Sequence, residues 1–106
     1  MSHHLKALDE QVIVLTGASS GMGLATAVMA AERGASLVLA ARSDEALDQL
    51  AQEINGQGGQ AIAVPCDVTD RGQLEALARA AVERFGHIDT WINNAGIGMF
   101  LSLIHI

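Results

Sequence analysis

The sequence predicts a doubly wound α/β sheet of parallel strands, and three observations carry that prediction. Short apolar runs alternate with longer stretches of helical period along nearly the whole chain. Half of the residues are hydrophobic but only 3% are aromatic. The core is therefore aliphatic and alanine-rich, as suits parallel strands under closely packed helices. Polar residues and glycines collect at the carboxyl end of each apolar run, where open sheets of this kind bind ligands. Strands joined by single helices must run parallel, with right-handed crossovers, so the expected strand order is 3-2-1-4. At 106 residues the chain holds one domain at most.

Taken in order, Val12–Thr16 is the first strand. Gly21–Arg33 reads as a helix with Leu24, Ala27, Val28 and Ala31 along one face, and Gly34 ends it. Ser36–Ala41 is a second strand, apolar on both faces. Ser43 is placed to cap the next helix, with Asp44 and Glu45 in the first turn where the dipole favours anions. Leu47, Leu50, Ala51 and Ile54 form the buried stripe of that helix, and Asn55-Gly56 stops it. Ala61–Pro65 is a third strand, closed by the chain's single proline. Thr69 or Asp70 caps a longer helix carrying Leu74, Leu77, Ala78, Ala81, Val82 and Phe85, which ends at Gly86. Ile88–Asn93 is a fourth strand, on which Trp91 is expected to pack rather than stack on a ligand.

Composition closes off several function classes. A formal charge of −6 without any basic run opposes binding to nucleic acid or to an anionic membrane surface. Met1–Glu10 lacks the apolar core of a signal peptide, and no stretch has the length of a membrane span. Cys66 is the only cysteine, so no intramolecular disulfide can form and a reducing cytoplasm fits. Cys66 reads as a small buried hydrophobe, His3 and His4 as a solvated tail, and His87 as a solvated turn residue. No metal site is expected.

The chemistry lies at the strand ends. Gly17, Ser19, Ser20, Gly21, Met22 and Gly23 follow the first strand as G-x-x-x-G-x-G, and a helix opens at once behind them. Glycines let the main chain turn sharply and approach an anion, and the helix points unpaired N–H groups and its positive dipole end at it. This is a nucleotide phosphate site of Rossmann type, although the spacing differs from the commoner G-x-G-x-x-G.

The end of the second strand selects the cofactor. A ribose with a free 2′-hydroxyl wants a carboxylate there, yet the chain has Ala41 followed by Arg42. A guanidinium matches a phosphate bidentately, so Arg42, helped by Ser43, favours NADP over NAD. The alternative for Arg42 is a surface pairing with Asp44 or Glu45. Asp67 can accept from an adenine amino group while Val68 flanks the ring; the alternative is an aspartate that caps the following helix. Asn93, Asn94, Ala95 and Gly96 set amides beside a small turn where backbone can pass close to a ribose.

With these residues assembled, the chain resembles the short-chain dehydrogenase/reductase family. The matching motifs are Thr16-Gly-Ala-Ser-Ser-Gly-Met-Gly23, Asp67-Val68 and Asn93-Asn-Ala-Gly96, in the family's order, and the likeness runs from Leu5 to Phe100. Met22 stands where the family usually has isoleucine, at a position that contributes mainly backbone contacts. The resemblance implies hydride transfer between NADP(H) and a small carbonyl or alcohol substrate, and a parent protein that is a homo-oligomer. It also implies a tyrosine acid–base, activated by lysine in Tyr-x-x-x-Lys, and both lie downstream of the asparagines. This chain has no tyrosine, and its only lysine is Lys6. No catalytic residue of that mechanism is present, so the chain alone is expected to be inactive.

Residues 1–100 are thus expected to form a cofactor-binding half-domain. Leu101–Ile106 resembles translated sequencing-adapter sequence and is expected to be foreign to a parent more than twice as long; a genuine short apolar end is the alternative. A sheet ending at the fourth strand would leave that strand's outer edge unpaired, and the isolated chain would then be marginally stable or self-associating. A non-catalytic nucleotide-binding module is the competing functional reading. An S-adenosylmethionine transferase would want an acid where Ala41-Arg42 stands, and Leu24 after Gly23 excludes a P-loop.

Overall fold

The computed structural model of the chain describes residues 10–17, 21–42, 45–67, 69–94 and 101–105, with backbone alone for 21–24, 45–46, 94 and 101–105. The elements are β1 (Val12–Thr16), α1 (Gly21–Glu32), β2 (Ser36–Ala41), α2 (Glu45–Gly56), β3 (Gln60–Pro65), α3 (Arg71–Phe85), β4 (Thr90–Asn94) and β5 (Leu101–His105). They build one sheet in the order β3-β2-β1-β4-β5. The first four strands pair parallel, in the expected order, with Leu37 standing between Ile13 on β1 and Ala61 on β3.

Alternation along the strands divides the core in two. Ile13, Leu15, Leu37, Leu39 and Ala61 face α1 and α2, where Leu47, Leu50, Ala51 and Ile54 meet them, all buried. Val14, Val38 and Ala40 face the other way, towards Leu77 and Ala81 of α3. Both faces of the sheet are covered, which is why the strands read as continuous apolar runs.

Two helical faces differ from the sequence reading. α1 buries Ala27 and Ala30, whereas Val28 is 40% exposed. Its sequence GMGLATAVMAAE is apolar almost all round, so periodicity does not single out a stripe, and alanines admit the closest approach to the sheet. On α3 the contact strip is narrow, centred on Leu77 and Ala81. Val82, about 100° further round the helix, is left 46% exposed.

Polar side chains set the junctions. Asp70, rather than Thr69, caps α3: its Oδ1 accepts from the Gly72 N–H at 2.9 Å and the Gln73 N–H at 3.3 Å. The helix closes at Gly86, whose left-handed φ of 91° lets its N–H reach the Val82 carbonyl at 2.7 Å. Asn55 does more than end α2. Its amide donates to the Ala61 carbonyl and accepts from the Ala61 N–H, both at 2.9 Å, and so ties α2 to β3. Asp89 holds the start of β1, its Oδ2 accepting from the Val12 N–H at 2.8 Å while its own N–H donates to the Val12 carbonyl at 2.9 Å. That arrangement delays β4 to Thr90. His87 remains solvated at this turn, as the sequence reading has it, and its Nε2 also lies 2.8 Å from the same Asp89 Oδ2.

The outer edge of β4 is not bare, contrary to the expectation of an unpaired strand. β5 runs antiparallel along it, with Thr90 opposite His105 and Asn94 opposite Leu101. Short apolar runs pair readily with an open edge, since every N–H and C=O there seeks a partner. Successive N–H groups of a strand point to opposite sides, so one of Leu103 and Ile104 donates towards β4. Replacing both by proline therefore removes a ladder bond whichever it is. The double variant is expected to self-associate as concentration rises in sedimentation velocity, whereas one that sediments like the unaltered chain at every concentration would show that β5 does not shield the edge.

Candidate functional site

The carboxyl ends of β1 and β4 lie side by side, where the strand order reverses, and the ends of β2 and β3 continue the same rim. Gly17 leaves β1 with a φ of 69°, a left-handed conformation that side chains disfavour, and so turns the chain off the sheet. α1 begins at Gly21, so Gly21, Met22 and Gly23 form its first turn, and that turn contains no acidic residue to compete with an anion. Ser19 and Ser20 lie outside the described residues.

Across the switch point the Thr16 hydroxyl donates to Asn93 Oδ1 at 3.0 Å, and the Trp91 indole N–H donates to the same oxygen at 2.8 Å. Thr16 is buried. The first bond ties the ends of β1 and β4 together, and the second lies within β4; Trp91 packs, partly buried, against the core on the α3 side of the sheet, as the sequence reading has it. Both bonds also orient the amide, since Asn93 Nδ2 has no partner among the described residues and is left to donate outwards. Asn94 ends β4, while Ala95 and Gly96 lie outside the described residues.

The Cys66 N–H donates to the Ala41 carbonyl at 3.0 Å, completing the pairing of Ala41 with Pro65 at the strand ends, where Arg42 comes beside Asp67. Arg42 Nε stands 3.9 Å from Asp67 Oδ1, with 76% of the arginine side chain exposed. Its partner among the described residues is therefore Asp67. Asp44 and Ser43 lie outside them, as does Val68. Asp67 does not cap α3, because Asp70 does. Asp67 Oδ1 instead accepts from the Thr69 hydroxyl at 2.7 Å and the Thr69 N–H at 3.0 Å. The Thr69 hydroxyl, followed by its N–H and the Arg42 charge, holds the Asp67 carboxyl below the ordinary aspartate range. The group therefore stays ionised as an acceptor further into acid than a free aspartate would.

Sequence reading missed two contributors to this rim. Gln73 Oε1 accepts from the Asp67 N–H at 2.7 Å, where a capping box of the spacing Asp70-x-x-Gln73 would have sent it to the Asp70 N–H. The Thr16 hydroxyl had no local signal either. Cys66 behaves as expected: it is buried, and burial raises its thiol pKa, with the Asp67 and Asp70 charges adding to the effect. A groove of about 670 Å³ between α1 and α2 lies at the opposite end of the sheet, by Ser36 and Gln60, and takes no part in the site. Among the described residues no cluster of His, Cys, Asp and Glu is placed to hold a metal ion, and no helix is long and apolar enough to cross a membrane.

The family model for short chain dehydrogenases matches residues 11–105. The chain belongs to the short-chain dehydrogenase family. It is 51% identical over 96 residues to the uncharacterized oxidoreductase YxnA of Bacillus subtilis, covering 91% of this chain and 27% of that protein. A hydroxysteroid dehydrogenase from Escherichia coli superposes with a TM-score of 0.80 at 39% identity, over 84% of this chain and 38% of that one. A short-chain dehydrogenase/reductase from Burkholderia phymatum, solved in complex with NAD, does so with a TM-score of 0.75 at 39% identity, over 79% and 30%. The chain thus spans between about a quarter and two fifths of the length of these relatives.

Proposed function

We propose that this short-chain dehydrogenase chain is the cofactor-binding half of an oxidoreductase that moves hydride between NADP(H) and a carbonyl or alcohol carbon of a small molecule in the cytoplasm. The observation that carries the cofactor choice is Arg42 at the carboxyl end of β2, beside Asp67, with no carboxylate in its own position. The residues present fit a dinucleotide. Gly17 and the first turn of α1 take the pyrophosphate, Arg42 and Ser43 the 2′-phosphate, and Asp67 and Val68 the adenine. Asn93, Asn94, Ala95 and Gly96 line the ribose path towards the nicotinamide. Ser19 and Ser20 add hydroxyls in the glycine turn.

When bound, the nicotinamide supplies or accepts the hydride. This chain's residues bind and orient it; proton transfer to the substrate oxygen falls to a Tyr-x-x-x-Lys pair that these 106 residues do not contain. On this reading Leu101–Ile106 stands in for native sequence, and the parent protein, a homo-oligomer, carries the substrate pocket beyond it. Sequencing the gene past the Phe100 codon is expected to find the frame running on to Tyr-x-x-x-Lys.

The direct test is calorimetric titration of the chain with NADP and with NAD. NADP is expected to bind more tightly, and equal or tighter binding of NAD would overturn the assignment. Two oxidised cofactors differing only in the 2′-phosphate keep every other contact constant.

A further inference from the structure

We infer that Thr69 is a positioning residue for adenine recognition, aiming the Asp67 carboxylate so that one oxygen is held and the other is free to read the 6-amino group. The inference rests on the proposed role of Asp67 and adds residues outside the matched motifs. Asp67 Oδ1 is saturated locally, accepting from the Thr69 hydroxyl at 2.7 Å, from the Thr69 N–H at 3.0 Å, and lying 3.9 Å from Arg42 Nε. Oδ2 has no partner among the described residues. A carboxylate rotates about a single soft torsion, so engaging one oxygen from a fixed side sets the direction of the other.

The backbone beneath is held as firmly. Gln73 Oε1 accepts from the Asp67 N–H at 2.7 Å, and Gln73 Nε2 reaches back to Asp70 Oδ2 at 3.4 Å. The Asp70 N–H donates to the Asp67 carbonyl at 3.0 Å, and the Cys66 N–H ties the segment to β2. Asp67 is thus anchored through its N–H, its carbonyl and one carboxylate oxygen, all in a part of the chain open to solvent. Such a surface loop has no packing reason to be so fully bonded. A fixed acceptor loses less conformational freedom when it meets its ligand, and this is where orientation adds affinity.

The experiment compares NADP with its hypoxanthine analogue, in which the 6-amino donor is replaced by a 6-oxo acceptor. A carboxylate accepts from the first and repels the second. The unaltered chain is expected to prefer NADP by about tenfold. Asp67→Asn, which offers an amide in place of the carboxylate, is expected to lose that preference. Thr69→Val is expected to cut it severalfold while leaving the NADP-to-NAD ratio unchanged, because Arg42 is not touched. Thr69→Ser, which keeps the hydroxyl, is expected to restore it.

The outcomes separate cleanly. If the unaltered chain or Asp67→Asn shows no change of preference between the two dinucleotides, the adenine reading of Asp67 falls and the inference with it. If Asp67→Asn loses the preference but Thr69→Val retains it, the positioning role of Thr69 alone is overturned. A Thr69→Val chain weakened equally towards NADP, NAD and the analogue would make Thr69 a loop-stabilising residue and also overturn it.

Discussion

Arg42→Asp is expected to lower the ratio of NADP to NAD affinity by about two orders of magnitude, most of it through weaker NADP binding. A guanidinium that meets a 2′-phosphate makes charge-assisted bonds in a planar fork, which a carboxylate both removes and opposes by repulsion. The new carboxylate would sit beside Asp67, so two negative groups would face the 2′ position and accept from a free ribose hydroxyl instead. In the unaltered chain Arg42 is not locked in place: its contact with Asp67 Oδ1 is 3.9 Å long and most of the side chain is in water. Little is therefore lost when the arginine swings from the aspartate to a phosphate. The same exposure means that the proposed NADP preference is expected to fall as salt is added. Competition titrations of both cofactors at two ionic strengths measure each effect. An unchanged ratio in Arg42→Asp would remove Arg42 from the site.

Arg42 also shows how far the sequence could be read. The absence of an acid after β2 was visible directly, and the parallel neighbourhood of β2 and β3 was implied by the βα alternation. That the ends of β2 and β3 bring Arg42 within 3.9 Å of Asp67 was not visible. The two residues are far apart in sequence, and the sheet brings strand ends together irrespective of separation.

The four parallel strands and three helices were legible because short apolar runs alternate with longer stretches bounded by glycines and caps. α2 is the clearest instance: Leu47, Leu50, Ala51 and Ile54 were read as the stripe, and all four are buried. α1 failed where its pattern failed, since a helix apolar on every side has no stripe to read. β5 was beyond reach for a different reason. A short apolar segment pairs with whichever edge is open, and its own residues say nothing of direction. The bond from Thr16 to Asn93 joins residues that are far apart in sequence, so no local spacing could announce it.

Leu37→Ala is expected to destabilise the chain by about 3 kcal/mol, within the range of about 2–5 kcal/mol for buried leucines. Leu37 has no exposed surface and sits on the face of the sheet covered by α1 and α2, with Ile13 and Ala61 as its cross-strand neighbours. Parallel strands fixed on both sides cannot close in on the missing atoms, so the cavity term adds to the lost transfer energy. A domain of this size has a total stability of about 5–15 kcal/mol, so the change removes a large part of it. Urea unfolding is expected to show a lower midpoint at unchanged slope, and Met29→Ala, at a side chain 55% exposed, is expected to stay within about 0.5 kcal/mol of the unaltered chain. The consequence reaches the site, because β2 is the strand that presents Arg42. If the rim is held by this core, Leu37→Ala weakens NADP and NAD by the same factor as the native fraction falls, and their ratio stays fixed. A changed ratio would mean that the cavity shifts the end of β2 itself, and that the selectivity at Arg42 depends on the packing five residues upstream.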